Sequence, residues 1–393
     1  MEKVLIVSSV YPPEPVVSAR VSFDLAKELV KSTFVTVLCP PPSRPLGYGF
    51  EAIKQEKNIE RIEVNSYVYP KSKFFGRLRE SYSFGKAVAN YIKLHKKEIS
   101  VIYIVSWPFF ATYMPIRVAY KNNIPIIVSI TDIYPESMTS RLGIVGRILE
   151  LPLKFIDAYY LKRATLIISI SELAGELIEK SRNLPAQKVE IVRIWQEDKS
   201  CDISCNDKDS DFTFMFVGSI SPAANVPFII KAFKSLNLSN SRLLIIGDGS
   251  EKDKCIKLSE GQENILFDVV VPEKVPEIQA MSDALLLSLK PGVGKTATPS
   301  KLPAYMFSAK PIVASLDVDS DAAYIINKSG CGFVCGANDL LTFQTLLRNI
   351  YAMPKHERDT LGKKGCYYAE KYLSKRINLE KIVSLVLANR KRR

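Results

Sequence analysis

The sequence predicts an α/β protein made of two doubly wound, Rossmann-like domains. Three observations carry that reading. The chain has 393 residues, apolar runs alternate with amphipathic stretches in two successive series, and one polar, unpatterned segment separates the series. At about 150 residues per domain the length suits two domains. A hydrophobic content of 47% is enough for two sizeable cores and excludes a disordered or fibrous chain.

The first series opens with the apolar run Val4–Val7, followed almost at once by Pro12 and Pro13. That run is too short for a signal peptide and reads as a first strand. Further strand-like runs are Val35–Leu38, Ile102–Val105, Ile126–Ile130, Leu166–Ile170 and Val189–Val192. Helical patterns fall between them, as in Val21–Val30, where Phe23, Leu25, Ala26 and Leu29 share a face. Alternating β and α segments of this kind mean a parallel sheet with helices on both faces. The stretch from Ile99 to Ile116 lacks charge, but Pro108 and Pro115 make a buried strand and loop a better reading than a spanning helix.

Residues 1–195 therefore form one domain, and the polar text of 196–211 reads as the linker. A second series begins with Phe214–Val217 and runs through Leu243–Ile246, Ile265–Phe267, Ala284–Leu289 and Ile312–Ala314. Val226–Leu236 and Lys274–Met281 are helical segments between them. This second domain spans 212–372, and 373–393 reads as a C-terminal helix and basic tail. Ligands of such sheets bind at the carboxyl ends of the strands.

Charge is distributed unevenly. The net +13 arises from 27 basic and 18 acidic residues in 1–195, 23 of each in 196–389, and four basic residues at 390–393. Such an excess suits nucleic acid or an anionic membrane. No nucleic-acid-binding motif is present. Lys71–Lys97 sets eight basic residues against Glu80 alone and interleaves Phe74, Phe75, Leu78, Tyr82 and Phe84; Arg141–Arg163 is similar in kind. Basic amphipathic segments with aromatics favour a lipid surface, although their apolar faces could equally pack on the sheet.

The rarer residues exclude other chemistries. His95 and His356 are the only histidines, and both lie in charged surface-like contexts, so a Ser-His-Asp hydrolase or a histidine-rich metal site is not expected. Seven cysteines without a C-x-x-C pair read as a reduced, cytoplasmic chain. Pro291–Thr296 ends like a phosphate-binding P-loop, but Leu289 stands where that motif needs its first glycine. Its Gly-rich turn, with Lys290, Lys295 and Lys301 nearby, could still receive a phosphate. In Gly247-Asp-Gly249 the glycines permit a tight turn and Asp248 could cap the next helix. Asp317-Val-Asp-Ser-Asp321 reads as a solvated turn or helix cap rather than a metal site.

In this order the pieces resemble the family 4 glycosyltransferases of the two-domain GT-B fold, in particular the bacterial surface-polysaccharide branch that includes fucosamine transferases. The segments concerned are Tyr11-Pro-Pro-Glu-Pro-Val-Val-Ser-Ala-Arg20, Thr131-Asp-Ile-Tyr-Pro-Glu-Ser137, Phe216-Val-Gly-Ser-Ile-Ser-Pro222, Gly247-Asp-Gly249, Pro299-Ser-Lys-Leu-Pro-Ala-Tyr-Met306 and Lys310-Pro-Ile-Val-Ala-Ser315. The resemblance implies two domains facing across a cleft, with a nucleotide-sugar donor in 212–372 and the acceptor on 1–195. It implies retention of configuration, no metal and no cofactor. Donor-binding positions are then Gly218, Ser219, Gly247, Asp248, Lys290, Lys295, Thr298, Ser300, Lys301 and Asp321. Pro13, Glu14, Arg20 and Glu136 would line the acceptor side, with Asp132 orienting or deprotonating the acceptor hydroxyl.

Several positions depart from that family. The Arg and Lys that commonly hold the donor diphosphate fall at Ser219 and Ala224, and the paired glutamates fall at Thr296 and Ala304. Lys290, Lys295 and Lys301 are the available replacement cations. The expected activity is sugar transfer to a lipid-linked or saccharide acceptor in cell-surface polysaccharide synthesis. It would take place at the inner face of the cell membrane with peripheral anionic contact. A non-catalytic GT-B partner subunit and a sugar-nucleotide epimerase are the alternatives.

Overall fold

In a computed structural model the described residues are 2–44, 50, 58–69, 74–107, 109–139, 143–195, 211–294, 299 and 301–391. Two compact units divide the chain: residues 1–194 together with 378–393, and Trp195–Ile377. The C-terminal helix, Lys375–Ala388, thus carries the chain back into the first unit. There the Asn378 carboxamide oxygen accepts the Arg193 backbone N–H, Lys381 pairs with Glu190 at 2.9 Å, and the Lys391 N–H donates to the Ser100 carbonyl. The expected boundary at residue 373 therefore lies five residues later in the structure, and the tail is partly seated on the first unit.

The first unit holds strands β1 (Lys3–Val7), β2 (Phe34–Cys39), β3 (Ile59–Glu63), β4 (Ile99–Val105), β5 (Ile126–Ile130), β6 (Leu166–Ser169) and β7 (Val189–Ile191). They pair in parallel in the order β3-β2-β1-β4-β5-β6-β7. The second holds β8 (Phe212–Val217), β9 (Ser241–Ile246), β10 (Ile265–Asp268), β11 (Ala284–Ser288), β12 (Ile312–Ser315) and β13 (Gly332–Cys335), in the parallel order β10-β9-β8-β11-β12-β13. Strands buried on both faces read as unbroken apolar runs, which is why β1, β4, β5, β8 and β11 are legible in the sequence. Each sheet reverses its strand order beside its first strand, at β1/β4 and at β8/β11. Those are the switch points where an α/β sheet opens a crevice at its carboxyl edge.

Helices cover the sheets with the apolar stripes their sequences supply. Helix Val17–Leu29 buries Ala19, Leu25, Ala26 and Leu29. Helix Phe74–His95 buries Phe84, Val88, Ala89 and Ile92 in the first core, so part of the basic aromatic segment does pack on the sheet. Among the described residues no helix is long and apolar enough to cross a membrane. Cys39, Cys255, Cys331 and Cys335 are free and buried; burial pushes the Cys255, Cys331 and Cys335 thiols up to about 11 and keeps them unreactive.

Candidate functional site

At the carboxyl edge of the second sheet, two glycine turns stand back to back. Gly218 follows β8 with φ +137°, and Gly247 follows β9 with φ +143°. Their main chains are joined by the Gly218 N–H to the Ile246 carbonyl and the Ile220 N–H to the Asp248 carbonyl, both 2.8 Å. A Cβ on Gly247 would lie 2.1 Å from the Gly218 carbonyl oxygen, so only glycine fits. Gly218 is closed in a different way: a Cβ there would lie 2.1 Å from Cε of Lys301.

Lys301 opens the helix Lys301–Phe307, whose Tyr305 is buried. The Tyr305 hydroxyl accepts the Val217 N–H at 2.8 Å and donates to the Val217 carbonyl at 3.0 Å, which seats the helix against the end of β8. Lys301 Nζ consequently lies 4.4 Å from the Phe216 ring centroid and 3.5 Å from the Ser219 carbonyl oxygen. Burial pushes its ammonium down to about 8, and no carboxylate among the described residues offsets the loss of water. A cation left short of hydrogen-bond acceptors beside two glycine turns is a fitting counter-charge for a phosphate.

Other expected donor positions are placed differently. Ser219 is exposed, while Ala224 is buried in the apolar core, so neither offers a cation. Asp248 is mostly exposed and its Oδ1 accepts the Gly249 N–H. Lys290 is exposed at the end of β11. Asp321 begins the helix Asp321–Ser329 behind the cap residue Ser320. Lys295, Thr298 and Ser300 lie outside the described residues.

The P-loop-like turn is the clearest correction. The Gly292 and Gly294 N–H groups donate to the Asp317 carboxylate at 2.9 to 3.0 Å, so an internal anion already takes the place a phosphate would occupy.

In the first unit the loops at the strand ends are bound by side chains. Glu14 is buried, and its carboxylate accepts the N–H groups of Tyr11, Ser43 and Arg44. That carboxylate clasps the loops after β1 and β2, which corrects its placement as an open acceptor contact. Pro13 is half-buried and Arg20 exposed. Asp132, exposed after β5, borders a small cavity of about 20 Å³ with Ser106, Trp107, Thr112, Tyr113 and Asp157, room for about one water.

Glu136 is likewise committed. Both its oxygens accept from the Arg182 guanidinium at 2.7 Å, and Lys154 lies 3.3 Å away. Arg182 is fully buried on helix Glu172–Arg182. Its Nε donates to Asp157 at 2.7 Å, and Nη2, one of the two nitrogens on Glu136, donates also to the Tyr134 carbonyl at 2.6 Å. Burial alone would raise the Glu136 carboxyl, but the bonds from Arg182 outweigh it and hold it below the usual range. Burial would lower the Arg182 guanidinium, and the Glu136 and Asp157 bonds reverse that too. Arg182 is the organising residue of the 131–139 loop, and nothing in its local sequence announces it.

Comparison with known proteins decides the family. The model described as Glycosyltransferase Family 4 matches residues 18–193, and that described as Glycosyl transferases group 1 matches 211–352. The chain belongs to the family 4 glycosyltransferases. A probable glycosyltransferase, WbjE of Pseudomonas aeruginosa, is 22% identical over 273 residues, covering 66% of this chain and 67% of that protein. Among solved structures, WaaG, a glycosyltransferase involved in lipopolysaccharide biosynthesis, superposes with TM-score 0.68 at 16% identity, over 98% of this chain and 99% of its own. Anabaena HepE in complex with UDP gives 0.67 at 12%, over 98% and 100%. These likenesses establish the GT-B fold for this family 4 chain.

Proposed function

We propose that this glycosyltransferase moves a sugar from a nucleotide-diphosphate donor to a lipid-linked or saccharide acceptor in cell-surface polysaccharide synthesis. The transfer retains anomeric configuration, needs no metal, and takes place at the cytoplasmic face of the cell membrane. One observation carries the reading: Lys301 lodged half-buried against the Gly218 turn, with no carboxylate partner among the described residues. The glycine turns let the donor's phosphates approach main chain, and Lys301 neutralises the departing diphosphate, assisted by Lys290 and Lys295. This replaces the cations lost at Ser219 and Ala224. Asp132 orients or deprotonates the acceptor hydroxyl. The lipopolysaccharide role of WaaG and the UDP bound by HepE support the same class of substrates.

Membrane contact is supported by helix Gly143–Leu161. Ile148 and Phe155 are 70% and 76% exposed there, in company with Ile144, Val145, Leu151 and Tyr159, and Arg147 is exposed among them. An apolar row of this size bordered by cations suits an anionic interface.

Thermal unfolding with a panel of UDP-, GDP- and dTDP-sugars tests the donor assignment. One nucleotide class raises the midpoint in proportion to its affinity, and the gain disappears in Lys301→Met. No stabilisation by any of them contradicts the assignment. The loss of cations at 219 and 224 favours one second reading, a partner subunit that binds a donor and does not transfer it; such a chain is stabilised by the donor without turnover.

A further inference from the structure

Around Trp107, at the carboxyl end of β4, two guanidinium groups converge. Arg44, from the segment after β2, and Arg77, from helix Phe74–His95, each stand 5.1 Å from the Trp107 ring centroid. Their carboxylate is Glu80, with an oxygen 2.6 Å from Arg44 and another 3.6 Å from Arg77. Glu80 also accepts the Tyr69 N–H, and nearby Glu14 spends its oxygens on backbone amides. Arg79 on the same helix turns away to stack on Tyr67 at 4.4 Å.

The donors of this pair are underused. Arg44 gives one nitrogen to Glu80 and the Tyr69 carbonyl, but its Nε is buried without a partner among the described residues. Arg77, whose side chain is only 25% exposed, makes no hydrogen bond among the described residues. The hydroxyls of Ser43 and Ser106, each next in sequence to Arg44 or Trp107, are buried and also unpartnered among the described residues. Buried polar groups are normally satisfied. Here several unsatisfied ones, the second oxygen of Glu80 among them, lie after β2, after β4 and on helix Phe74–His95, around two like charges. Burial, and then Arg44, push the Arg77 guanidinium down from its ordinary value.

We propose that Arg44 and Arg77 form an oxyanion site that takes a phosphate ester of the acceptor. The planar forks of the two arginines and the two hydroxyls supply more donors than a carboxylate can accept, and a tetrahedral dianion relieves the repulsion between them. Trp107 borders the same cavity as Asp132, and Arg77 lies within electrostatic reach of Tyr134, so a phosphate held there sits beside the loop proposed to orient the acceptor hydroxyl. The assignment rests on the transferase reading for the word acceptor, and on the first unit alone for the anion.

Two arms test it. Trp195→Phe leaves Trp107 as the only tryptophan, whose fluorescence reports titration with inorganic phosphate and pyrophosphate. A saturable change is expected, weakened about tenfold in Arg77→Gln and Arg44→Gln and unaltered in Lys301→Met. No saturable change, or equal binding in the arginine variants, overturns the site. In the second arm, transfer is compared for a neutral saccharide, a soluble glycosyl phosphate and a polyprenyl-diphosphate saccharide in vesicles. Arg77→Gln is expected to raise KM about tenfold for whichever phosphorylated acceptor is used, leaving the neutral acceptor and donor hydrolysis unchanged. Equal effects on neutral and phosphorylated acceptors overturn the acceptor assignment. If nothing is transferred but phosphate still binds through the arginines, the site stands and the transferase reading falls. Unchanged unfolding midpoints guard each variant against a folding artefact.

Discussion

The carboxyl ends of β8 and β9 present glycine and main chain, with one buried ammonium beside them. The corresponding ends of β1, β2, β4 and β5 in the first unit carry charged side chains that clasp one another and the loops. A surface of main-chain turns has little freedom and suits a ligand of constant shape, such as a nucleotide diphosphate. A surface built from side-chain networks can be altered piece by piece, which suits a variable acceptor. The two edges of this family 4 glycosyltransferase should therefore fail differently when changed.

The largest effect is expected at Arg182. Arg182→Met leaves Asp157 buried without its cation and Glu136 with Lys154 alone, and removing one partner of a buried pair costs about 3–5 kcal/mol. Denaturant unfolding should show that loss. Arg182→Lys, which keeps the charge and loses the fork, should fall between.

Gly247→Ala comes next, at about 1–3 kcal/mol for a non-glycine residue in so strained a conformation. Here the obstacle is the Gly218 carbonyl rather than a movable side chain. Calorimetry with whichever nucleoside diphosphate stabilises the chain should show that its affinity falls with stability in this variant, whereas Arg182→Lys leaves that binding intact.

Lys301 gives a pH signature. Its ammonium is charged below about 8 in the folded chain, so nucleoside-diphosphate affinity should decline as pH rises through 8, and Lys301→Met should remove the dependence. Stability moves in the opposite sense. The unfolded chain keeps that proton up to about 10.5, so it binds more protons between the two values, and this group's contribution to stability rises with pH across that window. Affinity and stability that fall together would assign the pH effect to another group.

The smallest effect concerns helix Gly143–Leu161. Ile148→Ser with Phe155→Ser should weaken binding to anionic vesicles, each side chain contributing at most about 1.5–3 kcal/mol if fully buried in lipid. High salt should weaken it further. Nucleoside-diphosphate binding should not change.

Much of this contrast could be read before folding. The central strands were legible because burial on both faces demands continuous apolar runs, and glycine after such a run has few other uses. Edge strands β3 and β13 were missed: Ile59–Glu63 carries three charged residues, and neither strand is buried throughout. The networks were not legible, since Arg182 meets residues 25 and 46 positions away and Arg77 meets Trp107 on another element. The Gly292 and Gly294 amides look open to a phosphate for the same reason, because the carboxylate that takes them is Asp317, 23 to 25 positions on. Lys301 was named from its neighbours, but its burial depends on Gly218, 83 positions before it.

Incubating the purified protein with UDP-, GDP- and dTDP-sugars carrying a labelled sugar, together with a membrane extract, tests the central claim most directly. The account predicts that label from one donor class moves to a lipid-extractable or saccharide product, and that Lys301→Met abolishes the transfer. Donor isomerised without transfer, or no turnover with any donor that nevertheless binds, would contradict it.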